Sequence, residues 1–422
     1  MSARIVDELR WRGLIAHSTD ERALAAALEA GRVTFYCGFD PTAPSLHFGN
    51  LVQLVTMRRL QQAGHRPIAV VGGATGLVGD PSGKSVERAL QEADVIEGWL
   101  ERIRVQIQHL LPLEGDNAAR IVNNLEWTGG LSALAFLRDV GKHFSVARML
   151  EKEAVAARLS DEGISFTEFS YQILQAMDYL ELYRRYGCVL QTGGSDQWGN
   201  LTAGVDLIRR VEHASVHALA TPLITRSDGT KYGKSEAGAV FLDHEMTTPF
   251  AFYQYFLNQA DADVVALLKT FSFRSREEID DLARAVSERP EAREAQRALA
   301  EELTAMVHGE EEAGRALAAS EAIFGAGDLR ALDEATLAAA TADLPRATFD
   351  GAAPSVLELL VATGLAASRG DARRTVAEGG AYVNNERVAD PTWLPGDGNF
   401  LHGRWLLLRR GKRHVAVVVR ST

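Results

Sequence analysis

Apolar positions change their spacing several times along the first eighty residues. In ERALAAALEA (21–30) they recur at helical intervals, which reads as part of a helical lead-in over the first 35 residues. VTFYCGFD (33–40) is instead an unbroken β-branched and aromatic run meeting Asp-Pro, the pattern of a strand that closes into a loop. LHFGNLVQLVTMRRLQQAG (46–64) returns to the helical period and stops at Gly64. RPIAVVGGATG (66–76) then predicts a second buried strand ending in a glycine-rich turn. Strand, helix, strand in this order predicts a βαβ unit and a parallel, doubly wound α/β sheet.

Residues from about 90 to 190 are mostly helical in pattern, broken by turns such as Glu114-Gly115-Asp116-Asn117. GCVLQTGGSDQWGN (187–200) predicts a later buried strand with a glycine-rich corner, and Thr247 to about His308 reads as helices. The stretch 309–351 is Ala-rich, acidic and poor in aromatics, a composition that suits helix ends and a linker. Short helices and strands follow, including GGAYVNNERV and RWLLLRRGKRHVAVVVR.

The 422 residues leave room for two or three domains, and 46% hydrophobic with 24% charged residues is ordinary globular composition. With no charged-apolar-small leader and no apolar run of about 18 residues, a cytoplasmic protein is expected, with no membrane partner. Cys37 and Cys188 are too few for a disulfide framework or a zinc cluster, and no protein metal site is evident. A net charge of −11 argues against indiscriminate coating of nucleic acid, yet residues 352–422 hold ten Arg/Lys against six Asp/Glu.

Four constellations carry candidate chemistry. GLVGDPSGKS (76–85) ends like a phosphate-binding loop, but Val78 stands where the first glycine is needed and Gly79 leaves the loop one residue short. After the first strand, His47 and Asn50 share the first turn of the next helix, whose free N–H groups suit an anion, while Gly49 leaves room for a flat group. Taken alone, the pair would serve equally as a helix cap. TRSDGTKYGKSEAG (225–238) sets Lys231 and Lys234 three apart in a glycine-rich loop, able to cradle a polyphosphate or simply to be solvated. In FSYQILQAMDYL (169–180), Tyr171, Gln175 and Asp178 fall on one face of an otherwise apolar helix. That is either a surface helix or a pocket lined by phenol, amide and carboxylate.

Together these motifs resemble the class I aminoacyl-tRNA synthetases. YCGFDPTAPSLHFGN, GDPSGKSVER, YQILQAMD, GGSDQWGN and KYGKS, in this order over nearly the whole chain, resemble the bacterial tyrosyl-tRNA synthetases in particular. The resemblance implies a Rossmann-like catalytic domain (1–225) with a dimer-forming insertion near 110–160, then the lysine loop and helical domain (226–320). An acidic linker (321–351) and a ribosomal S4-type RNA-binding domain (352–422) would follow. It implies formation of tyrosyl-adenylate from L-tyrosine and ATP, with Mg2+ accompanying ATP, and transfer to tRNA(Tyr) by a homodimer.

Carried over by motif, Tyr36 and Asp178 meet the substrate phenol, and Tyr171, Gln175 and Asp80, the last at the end of the second strand, its ammonium group. Gln197 lies near the carboxylate and ribose, and Gly38, Asp40, Gly49 and Asp196 near the adenylate. Thr42, His47 and Asn50 are assigned to the ATP phosphates, with Lys231 and Lys234 as signature lysines and Lys84 and Arg88 on a basic loop that meets pyrophosphate. Arg369, Arg373 and Arg374 form the candidate RNA contact. Asn50 stands where a second histidine is usual and cannot carry a proton charge. An adenylating enzyme that never touches RNA, or an inactive RNA-binding scaffold, would share part of this set.

Overall fold

The structure is a computed structural model. It describes residues 5–80, 82, 91–151, 155, 163–230, 232, 234–235, 238–324, 327–342, 344–351, 353–411 and 414–421. The chain divides into two compact units, Met1–Thr247 with Gln259–Leu299, and Thr248–Asn258 with Ala300–Thr422.

The first unit is built on a six-stranded sheet. Its strands are β1 (His17–Ser18), β2 (Thr34–Phe39), β3 (Arg66–Val71), β4 (Arg120–Asn123), β5 (Cys188–Gly194) and β6 (His217–Thr221), in the order β1-β6-β5-β2-β3-β4. All neighbours run parallel except β1, which lies antiparallel to β6. The expected βαβ unit is present as β2, helix Phe48–Gln62 and β3, with Gly64 at φ 101° making the turn that a side chain would resist. Parallel strands covered on both faces read as continuous apolar runs, and Phe35, Tyr36, Cys37, Ile68 and Ala69 are accordingly buried.

The strand order reverses between β2 and β5. Connections leave these two strands in opposite directions, so a crevice opens beyond their carboxyl ends. Helix Phe166–Tyr186 leads into β5, started by Ser165, whose hydroxyl accepts from Glu168 N–H, and ended by Gly187 at φ 61°.

The first unit also holds a two-stranded ladder, β7 (Lys234–Ser235) and β8 (Gly238–Ala239). The second unit carries a five-stranded sheet of β9 (Arg346–Phe349), β10 (Ala381–Val383), β11 (Glu386–Arg387), β12 (Trp405–Arg410) and β13 (His414–Arg420), ordered β11-β10-β12-β13-β9. Alternate residues of β12 and β13 enter two separate cores. Leu406, Leu408, Ala416 and Val418 pack against helices Val356–Ala362 and Arg369–Ala377, whereas Leu407, Val415, Val417 and Val419 face a cluster with Ile323, Leu329, Leu332 and Leu337.

Much of the stretch expected as a linker is therefore packed. Residues 327–342 supply part of that second core, and β9 adds a parallel edge strand to β13. Its alanines were read as non-core, but Ala316, Ala319 and Ala322 are small enough to bring a helix close to its neighbours. No described helix is long and apolar enough to cross a membrane.

Candidate active site

Strand ends around the crevice deliver most of the predicted residues. Gly38 is the penultimate residue of β2, and a Cβ built there would meet nothing within 4 Å, so the backbone stands open to an approaching group. Asp40 follows β2. Its carboxylate accepts from the Tyr171 hydroxyl at 2.6 Å and from Thr75 Oγ1 at 2.7 Å. Gly72 lies so close that a Cβ there would sit 2.0 Å from Asp40 Oδ1, which makes glycine a steric requirement of the Asp40 position.

The helix Phe166–Tyr186 contributes the polar stripe anticipated from its spacing. Tyr171 and Asp178 are both buried, and the side-chain oxygen of Gln175 is buried with no hydrogen-bond partner among the described residues. Asp178 accepts from Trp127 Nε1 at 2.7 Å and from Asn124 Nδ2 at 3.0 Å. Burial pushes its carboxyl up to about 7 even though both donors pull the other way. Tyr36, on β2, is 1% exposed, and its hydroxyl has no partner among the described residues. Burial raises the Tyr36 phenol well above its ordinary value, and the charge of Asp178 raises it further. The Tyr171 phenol is raised in the same way, by burial first and then by Asp40 and Asp80.

Asp80 does not end the second strand as expected. β3 stops at Val71, and a short 3-10 turn, Thr75–Leu77, intervenes. Asp80 is nevertheless buried, accepting from Gln197 Nε2 at 2.6 Å and from Ser82 N–H at 2.9 Å. Gln197 in turn accepts from Asn200 Nδ2 at 3.0 Å. Asp196, beyond β5, is exposed, and a Cβ on Gly194 would lie 2.5 Å from its Oδ1.

On the far side of the loop after β2, His47 caps helix Phe48–Gln62, and Asn50 Oδ1 accepts from His47 N–H at 3.0 Å. The capping role open to this pair is thus real for Asn50. A Cβ on Gly49 would meet His47 Cε1 at 2.8 Å, so the imidazole lies over the glycine. Thr42 is exposed nearby in sequence, its N–H donating to Asp40 O at 2.9 Å.

Lys84, Arg88 and Lys231 lie outside the described residues, as does the Lys234 side chain; the Lys234 backbone pairs with Ala239 in a small antiparallel ladder. In the second unit, Arg369, Arg373 and Arg374 stand exposed on helix Arg369–Ala377. Arg369 pairs with Glu358 at 2.6 Å and Arg374 with Asp371 at 2.9 Å.

Three polar residues were not anticipated. Asn124 links the two ends of the pocket, donating to Asp178 and, at 3.0 Å, to Thr75 Oγ1, while its own oxygen accepts from Ala74 N–H at 2.7 Å. Trp127 and Thr75 complete the set. The only trace in the sequence is the polar pair Asn123-Asn124 that follows Ile121-Val122.

Residues 28–325 match the family described as tRNA synthetases class I (W and Y), and residues 336–418 match a tyrosine–tRNA ligase SYY-like C-terminal domain. A tyrosine–tRNA ligase of Streptomyces avermitilis is 63% identical over 416 residues, 98% of each chain. One from Acidothermus cellulolyticus is 59% identical over 423 residues, 99% of each. A solved, C-terminally truncated mitochondrial tyrosyl-tRNA synthetase of Aspergillus nidulans superposes with a TM-score of 0.68 at 30% identity, covering 74% of this chain and 92% of its own. With the crevice at the strand-order reversal and the phenol, amide and carboxylate gathered on one helix, the chain belongs to the class I tRNA synthetases of the W and Y family, among the tyrosine–tRNA ligases.

Proposed function

We propose that the crevice binds L-tyrosine and ATP, forms tyrosyl-adenylate with release of pyrophosphate, and passes the tyrosyl group to the 3′ end of tRNA(Tyr). The observation that carries this reading is the buried Tyr36 hydroxyl without a described partner, next to the doubly hydrogen-bonded Asp178. A substrate phenol entering there would accept from Tyr36 and donate to Asp178. Phenylalanine would leave both groups unpaired, and tyrosine activation is itself the case from which this rule of rejection is drawn.

At the other end of the substrate, Tyr171, Gln175 and Asp80 hold the ammonium group. The free substrate carboxylate then attacks the α-phosphorus, so no protein nucleophile is required. One oxygen–phosphorus bond forms as the bond to pyrophosphate breaks. Gln197, Gly38, Asp40, Gly49 and Asp196 orient the adenylate, and Thr42, His47 and Asn50 face the phosphates at the positive end of helix Phe48–Gln62. Mg2+ enters as part of the ATP substrate. Lys231, Lys234, Lys84 and Arg88 supply cationic charge to the departing pyrophosphate.

Arg369, Arg373 and Arg374 contact tRNA phosphates, dividing the labour between a catalytic portion (1–225), the segment carrying the signature lysines (226–320) and an RNA-binding end (352–422). A homodimer in the cytoplasm completes the reading. Leu134, 81% exposed, and Leu137 and Val146, 55% and 60% exposed, support a contact surface within 110–160. Tyrosine-dependent exchange between ATP and pyrophosphate, followed by charging of tRNA(Tyr), tests the function. Exchange that ignores tyrosine would sink it, and exchange without charging would favour an enzyme that never meets RNA.

A further inference from the structure

The residues flanking Lys231 form a hydrogen-bonded hairpin. Tyr232 N–H donates to Ile224 O at 3.0 Å and Arg226 N–H to Thr230 O at 2.7 Å, closing a turn in which Gly229 N–H donates to Arg226 O at 2.9 Å. Gly229 takes φ 83°, the left-handed residue that such three-residue hairpin loops require. Asp228 Oδ1 accepts from both the N–H and the hydroxyl of Thr230.

One donor of this turn points elsewhere. Ser227 N–H donates at 2.8 Å to Asp263, a buried carboxylate in the first turn of helix Asp261–Phe271. The opposite end of that helix is tied to the helix that begins beside His47. The buried guanidinium of Arg59 donates to Thr270 O and Ser272 O, and that of Arg12 to Lys269 O and Ser272 O. Phe48, the first residue of helix Phe48–Gln62, packs its ring 4.5 Å from Phe271 and 6.1 Å from Tyr232. Helix Asp261–Phe271 is therefore a strut. It joins the helix whose N-terminus carries the candidate phosphate residues to the hairpin that holds Lys231 in sequence.

We propose that Asp263 is a positioning residue for the activation reaction. By fixing the hairpin through Ser227 N–H, it sets the backbone from which the signature lysines reach the phosphates. It touches no substrate, and the inference rests on the adenylate-forming reading above. A carboxylate that served only its own helix terminus would stabilise the fold without distinguishing ATP chemistry from tyrosine binding.

The test measures kcat of tyrosine-dependent ATP–pyrophosphate exchange and, separately, equilibrium binding of tyrosine without ATP, in the full chain. Asp263→Ala removes the charge-assisted hydrogen bond that fixes the hairpin and should lower kcat about tenfold, with tyrosine affinity unchanged. Asp263→Asn keeps an oxygen acceptor and should restore kcat to within about twofold of the parent. Ser227→Pro removes the same bond from its other side. Ser227 occupies the second position of the Arg226–Gly229 turn, where proline fits, and among the described residues no other hydrogen bond uses that N–H, so this variant should match Asp263→Ala. Normal kcat in both Asp263→Ala and Ser227→Pro overturns this inference alone, as does an equal loss of tyrosine binding in both. Absence of exchange in the unaltered chain overturns the functional reading and this inference with it.

Discussion

Trp127 and Asp178 meet through a 2.7 Å hydrogen bond from the indole N–H to a carboxylate that is almost wholly removed from water. The bond does not offset the cost of burying the charge of Asp178, and burial pushes the carboxyl up to about 7. An acid with a raised pKa holds its proton longer folded than unfolded. The stability it contributes is full below its ordinary value of 3.8, declines with rising pH and is gone above about 7. The total change is up to about 4 kcal/mol. Asp178→Asn removes the ionisation and leaves a pH-independent penalty where its amide meets Asn124. Denaturant unfolding should show the variant gaining on the parent across that window and then levelling; a constant gap would place the carboxyl near its ordinary value.

Tyr36→Phe should move stability and function in opposite directions. Without substrate, it removes a buried hydroxyl that has no described partner, and unfolding should become about 1 kcal/mol harder. With substrate, it removes a donor to the phenol, so the preference for tyrosine over phenylalanine in exchange kinetics should fall. Loss of stability with intact preference would reject the pocket assignment.

Two glycines should separate the two ends of the site. Gly49→Ala puts a methyl 2.8 Å from the His47 ring and should lower kcat while tyrosine binding survives. Gly72→Ala puts one 2.0 Å from Asp40 Oδ1, within a network that also holds Thr75 and Tyr171. It should weaken tyrosine binding itself and cost roughly 1–3 kcal/mol of stability. Matching kinetic profiles for both variants would contradict this division.

Among the three candidate RNA-binding arginines, Arg369 and Arg374 are engaged by Glu358 and Asp371, whereas Arg373 is exposed with no described ion pair. Arg373→Ala should therefore weaken tRNA binding most and reduce the slope of log affinity against log salt by about 1, leaving ATP–pyrophosphate exchange untouched. Equal effects of all three alanine substitutions would show that the ion pairs open on binding.

The sheet was legible because parallel strands buried on both faces leave unbroken apolar runs, as in RPIAVV and VTFYCGF. Tyr171, Gln175 and Asp178 were legible because helical spacing alone puts them on one face. Asn124, Trp127 and Thr75 were not, since they come from the turns that follow β4 and β3 and no local period records that meeting. Asp80 was assigned to the end of the second strand although the glycine-rich turn was legible, because the pattern does not show how far the chain runs on, through Thr75–Leu77, before it reaches the pocket. The alanine-rich stretch looked like a connector because composition registers how little apolar surface alanine carries and not how closely it lets helices approach.

The two-faced sheet of the second unit has a consequence for synthesis. Leu329, Leu332 and Leu337 share a core with Leu401, Trp405, Leu407, Val415, Val417 and Val419, all far downstream of them in sequence. On the ribosome these leucines must wait for those partners until β12 and β13 have emerged. A stop codon near residue 352 would thus do more than remove the candidate RNA-binding surface: it would release a chain whose leucine face has lost its β12 and β13 partners, a substrate for chaperones and proteases.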